Sequence, residues 1–107
     1  MRIVLDENVP LPLKAAFGAT ATVTTVQESG LAGIANGGLI SALEGQAEVF
    51  ITADKQLKYQ QNLTGRSLAI IELPTNRLPR LRPIFAAIVA AAEKAAPGSY
   101  TEVQEQS

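Results

Sequence analysis

Apolar positions along this chain fall into short unbroken runs separated by stretches with helical spacing, and the two patterns take turns. Residues 2–5 form a branched apolar run that stops at Asp6, which predicts a first strand. Asn8 stands where it can cap a following helix, with Pro10 tolerated in the first turn. Leu11, Leu13, Ala16 and Phe17 supply that helix's apolar side, and Gly18 ends it. Residues 21–26, rich in Thr and Val, predict a second strand. Gly30, Gly33, Gly37 and Gly38 mark a loop around residues 29–36. Asn36 then stands as cap for a helix whose Leu39, Ile40, Leu43 and Ala47 share one side.

The second half repeats the alternation. Residues 48–52 predict a third strand, and Asp54 can cap a short helix over residues 55–63 that Gly65 closes. Residues 67–73 predict a fourth strand. The proline- and arginine-rich segment 74–83 predicts an extended connection. A last helix over residues 83–95 places Ile84, Phe85, Ile88, Val89 and Ala92 on one face, and residues 99–103 predict a short edge strand or an ordered tail. Strands alternating with helices imply an α/β fold with a mainly parallel sheet covered on both faces. Right-handed crossovers then bring every strand-to-helix loop to one edge, beyond the carboxyl ends of the strands, where such sheets bind ligands. Asp6, Glu28 and Asp54 each follow a strand and so converge there.

Composition narrows the chemistry. The 107 residues suit one domain, divided here into residues 1–96 and a terminal segment 97–107. Histidine and cysteine are both absent, which excludes histidine-based triads, thiol nucleophiles, disulfides and sulfur or imidazole metal sites. The longest apolar run, residues 84–92, falls far short of the roughly 20 residues that span a bilayer, and acids follow the first strand at once, so a cytoplasmic protein without membrane contact is expected. Carboxylates gathered without histidine or cysteine make a hard oxygen site suited to Mg²⁺ or Mn²⁺, with Asp6, Asp54 and Glu28 as ligands. The alternative for Asp54 is plain helix capping. Glu44 lies off its helix's apolar stripe and reads as solvated.

Charge adds a second clue. Residues 1–54 carry six acids and two bases, whereas residues 55–82 carry six bases and one acid. Lys55, Lys58, Arg66, Arg77, Arg80 and Arg82 are therefore candidates for gripping a phosphate backbone, or else a solvated surface. Tyr59 could stack on a base beside Gln60, Gln61 and Asn62, or pack under the sheet. With five aromatic residues in all, the chain has no aromatic platform of the kind a dedicated single-strand binder uses.

The runs Ile-Val-Leu-Asp-Glu-Asn-Val-Pro (3–10) and Phe-Ile-Thr-Ala-Asp-Lys-Gln-Leu (50–57) resemble those of short bacterial PIN-like proteins. Tyr-Gln-Gln-Asn-Leu (59–63) and Leu-Pro-Thr-Asn-Arg (73–77) resemble one largely uncharacterised branch of them. The resemblance covers roughly residues 1–96, in the same order of elements. It implies a three-layer PIN-like sandwich with a sheet of about four strands flanked by helices. It also places Asp6, Glu7 and Asp54 at the positions of that group's acids. Its relatives carry a further acid at the start of the middle helix, where this chain has Asn36, Gly37 and Gly38. The wider group includes Mg²⁺-dependent ribonucleases and the toxins of toxin–antitoxin pairs. The expectation is a metal-dependent ribonuclease acting on RNA, with an antitoxin protein or a second copy as partner. The alternatives are a catalytically weak module that binds nucleic acid or a partner protein, and a purely structural partner.

Overall fold

In the computed structural model, which describes residues 1–57 and 65–105, five short strands pair into one all-parallel sheet. They are β1 (Arg2–Leu5), β2 (Thr22–Thr25), β3 (Val49–Thr52), β4 (Ala69–Glu72) and β5 (Tyr100–Glu102), in the spatial order β2-β1-β3-β4-β5. The central strands are apolar on both sides, as sequence runs without polar alternation demand. Residues 99–103 thus contribute a fifth strand, one more than the resemblance implied. Among the described residues, no helix is long and apolar enough to cross a membrane.

Successive strand residues point to opposite faces, and each face has its own core. On the first, Ile3, Leu5, Val49, Ile51, Ala69 and Ile71 meet α1 (Pro12–Ala16) and α4 (Phe85–Lys94) through Leu13, Phe17, Ile88 and Ala92. On the second, Val4, Phe50 and Ile70 meet Leu39, Ile40 and Leu43 of α2 (Asn36–Leu43) and also Leu57. A five-residue helix such as α1 is unstable alone; burial of Leu13 and Phe17, roughly 1.5–3 kcal/mol for each such side chain, holds it in place. The Ile84/Ile88/Ala92 stripe is core, with Phe85 and Val89 packed against it.

Several sequence expectations change. Asn8 does not cap α1, which starts at Pro12 after Leu11; its side chain is used elsewhere, as described below. Asn36 is the first residue of α2, not its cap, and Ala35 occupies the cap position. The segment 74–83 is not wholly extended: α3 (Leu78–Leu81) and a 3₁₀ turn (Arg82–Ile84) lead into α4. Prolines are the reason. Pro79 suits the first turn of α3, whereas Pro83 lacks the N–H to continue that helix, so a 3₁₀ turn separates α3 from α4. The helix expected over residues 55–63 lies mostly outside the described residues, as do Lys58, Tyr59, Gln60, Gln61 and Asn62.

Handedness is the other departure. α1 carries the chain from β1 outward to β2 on the first face, and α2 carries it back across the sheet on the second, so these crossovers share one hand. α4 also lies on the first face, yet it moves the chain in the same direction as α2, from β4 to β5. The last crossover therefore has the opposite hand, against the strong general preference for one. Its apolar stripe fills the ground beside α1 that would otherwise leave the first face of β3 and β4 bare.

Candidate functional site

β1 is the strand from which the two opening crossovers diverge, so the crevice between β1 and β3 is the switch point of the sheet. Asp6 leaves β1 there, and Ala53 and Asp54 leave β3. Asp6 Oδ2 accepts a hydrogen bond from the Thr52 hydroxyl at 2.7 Å, and Oδ1 accepts the Glu7 N–H at 2.8 Å. The same Thr52 Oγ1 accepts the Asp54 N–H at 3.0 Å. One fully buried hydroxyl thus links the Asp6 carboxylate to the Asp54 backbone. A second stitch comes from Asn8, whose Oδ1 accepts the Ala53 N–H at 3.1 Å. Asp54 Oδ1 in turn accepts the Gln56 N–H at 2.9 Å, the bond expected of a cap-like turn.

The register extends this site along the sheet. Leu5 pairs with Ile51, Thr52 with Glu72, and Glu72 with Glu102, so Asp6, Thr52, Glu72 and Glu102 stand level on four adjacent strands. They follow Val4, Phe50, Ile70 and Tyr100 by two residues and so share the face that α2 covers. Glu72 is buried and accepts a hydrogen bond from the Tyr100 hydroxyl at 2.7 Å. Sequence reasoning passed over it as the one acid in a basic stretch. The signal available was a carboxylate closing an otherwise apolar run, level with Thr52.

The other sequence-predicted residues divide between two edges. Glu7 reaches over the loop after β2 and accepts the Gly33 N–H at 3.1 Å. Glu28 pairs with Lys14 at 3.1 Å and also accepts the N–H of Thr25 at 3.1 Å, covering a backbone donor on the free side of edge strand β2. The Lys14 ammonium is the main cause holding the Glu28 carboxyl below its ordinary range. Glu44 is half-exposed, as a solvated position would be, and it is also engaged: it accepts from the hydroxyl and N–H of Ser67, and from the N–H of Leu68, at the entry to β4. That is the amino-terminal edge, opposite Asp6, so Glu44 cannot join the crevice. Arg66 lies at that edge as well, within 3.3 Å of the Ser41 hydroxyl. Arg80 is paired with Glu105 at 2.7 Å. Lys55, Arg77 and Arg82 follow the carboxyl ends of β3 and β4. At Gly38, where the resemblance leads one to expect an acid, a Cβ would lie 3.0 Å from Ile34 Cγ2, so a side chain there requires the Ile34 side chain to give way slightly.

Among the described residues, no three carboxylates come together as a ready metal cage. Comparison of the chain with protein-family models, curated proteins and solved structures gave no match. Any function has to be argued from the crevice itself.

Proposed function

We propose that the Asp6–Asp54 crevice is a divalent-cation site of PIN-like type that hydrolyses the phosphodiester backbone of RNA. The observation that carries this reading is the adjacency of β1 and β3 in parallel, with Asp6 and the Asp54 backbone joined through Thr52. The donor set fits the ion. It offers hard oxygens only, and a carboxylate oxygen can accept from more than one partner. Mg²⁺ commonly takes one or two carboxylates and fills its shell with water and substrate phosphates, so a cage of three acids is not required.

Asp6 and Asp54 would hold the cation, which when bound supplies electrophilic stabilisation to a phosphoryl oxygen. Thr52 keeps Asp6 turned toward the crevice. Lys55, Arg77 and Arg82 would grip the flanking phosphates; Arg66, at the far edge, is excluded from that role. An antitoxin-type protein that covers the crevice is the partner this reading implies. A second reading, a module that binds nucleic acid or protein without cleaving, is favoured by the commitment of Glu7 to Gly33 and Glu28 to Lys14.

Thermal unfolding in Mg²⁺ or Mn²⁺ separates the two. The cation should raise the melting temperature by mass action, and Asp54→Asn should lose both that rise and RNA cleavage while folding normally without metal. No metal-dependent rise in the unaltered protein would refute the hydrolase reading and leave the binding module.

A further inference from the structure

A hollow of about 640 Å³ adjoins the crevice on the β2 side, walled by Asp6, Val9, Leu11, Lys14, Gln27 and Glu28. Its size lies within the range of small-molecule sites and accommodates one nucleotide unit. Sharing Asp6, it receives whatever is attached to a phosphate held in the crevice. We propose that this hollow is a base subsite, taking the neutral, amino-bearing base of an unstacked nucleotide; the proposal rests on the reading above that the crevice holds a nucleic-acid phosphate.

Charge decides which part of the nucleotide enters. Asp6 is taken by the cation in that reading, and Lys14 is tied to Glu28 at 3.1 and 3.3 Å, so the rest of the wall adds the acid Glu7 and offers its one cation already paired. A phosphate finds nothing there to neutralise it, and an uncharged base needs nothing. Carboxylates only accept hydrogen bonds, so they favour an exocyclic amino group over a carbonyl at the base edge. Gln27 is exposed and offers both a donor and an acceptor, the pairing that reads adenine. Shape decides the rest. Leu11 leaves 64% of its surface in water at the mouth of this hollow, beside buried Val9. An aliphatic side chain so placed gains from a flat ring laid over it, and among the described residues no aromatic lines the hollow to do the stacking instead.

Short single-stranded oligonucleotides of adenosine and of purine riboside, which lacks the amino group, test this by fluorescence anisotropy, with cleavage read on the same samples. Adenosine strands should bind about tenfold tighter, the worth of one hydrogen bond to a charged acceptor. Leu11→Ser should weaken adenosine binding by about the same factor. Gln27→Ala should shrink the preference. Leu11 is largely exposed, so serine there removes no core packing, and urea unfolding of the variant separates weaker binding from a folding failure. Equal affinity for the two strands, or a preference and affinity untouched in both variants, overturns the subsite. Preserved preference without cleavage supports the subsite and overturns hydrolysis alone, whereas binding of neither strand overturns both.

Discussion

The two edges of the sheet treat their carboxylates differently. At the amino-terminal edge, Glu48 is clasped by Arg2, with contacts of 2.6 and 3.1 Å from the guanidinium and 2.7 Å from the Arg2 N–H. Glu44 closes on the Ser67–Leu68 backbone, and Gly98 donates its N–H to the Ser67 carbonyl at 2.9 Å. At the carboxyl-terminal edge, Asp6 and Glu72 are held by hydroxyls and one amide, donors that bring no positive charge. Glu48, clasped by a guanidinium, is neutralised within the fold, as Glu28 and Glu105 are by Lys14 and Arg80 at the other edge. Asp6 and Glu72 are oriented by donors that bring no charge, as Glu44 is by Ser67. What sets Asp6 apart is its place at the switch point between β1 and β3.

If the first edge is structural, disturbing it should cost stability and nothing else. Gly98 gives the largest expected effect. It sits at φ 75°, and a Cβ there would lie 2.4 Å from the Arg66 carbonyl oxygen, which is backbone and cannot swing away. Gly98→Ala should therefore cost about 3 kcal/mol or more, from the left-handed backbone and the forced displacement together. Urea unfolding measures it. A loss under about 1 kcal/mol would mean that the β5 entry is not the rigid closure described.

Thr52 offers the matching disturbance at the other edge. Its hydroxyl is buried, and Val keeps the shape while leaving the Asp54 N–H and Asp6 Oδ2 each short of a partner. Thr52→Val should cost about 2 kcal/mol in urea unfolding. Thr52→Ser should recover most of the loss, since it restores the hydroxyl at the expense of one methyl. If Val proves as stable as Thr, the link between the two loops is not what holds them together. Metal binding should weaken in the Val variant more than in the Ser variant, an effect that no substitution at Gly98 should share once folding is accounted for.

The fold was legible wherever one pattern had one physical solution. The apolar runs of β1, β3 and β4 have to be buried on both faces, and they are the interior strands of the sheet. Helix ends were harder, because Asn8 and Asn36 are cap-formers by type, and only the tertiary arrangement assigns Asn8 to the Ala53 N–H. The direction in which α4 returns was hidden as well: its stripe says that it packs, not on which face. Within the site, Asp6 and Asp54 could be named from strand ends alone. Glu72 became visible only with the register, which sets it level with Thr52. The bonds of Glu44 were hidden because its partner, the Ser67–Leu68 backbone, lies more than twenty residues away in the chain.

The smallest expected effect concerns protons, and it separates the edges once more. Glu44 is held below its ordinary value near 4.5 chiefly by the Ser67 hydroxyl, then by the Ser67 N–H, and Glu48 chiefly by the Arg2 guanidinium. In both, the folded protein grips the ionised form more tightly than the unfolded chain does. Above the unfolded value both states are ionised and the stabilisation is complete. As pH falls below about 4.5 the unfolded chain takes up protons first, and the contribution shrinks until the folded carboxyl is protonated too. Glu44→Gln removes this titration while keeping an acceptor oxygen for Ser67. The variant should be slightly less stable than the parent near neutrality, and the gap should narrow as acid is added, as read from urea midpoints across that window. A gap that stays constant with pH would mean that Glu44 acts by shape alone, and the amino-terminal edge would then owe its closure to Arg2, Glu48 and Gly98.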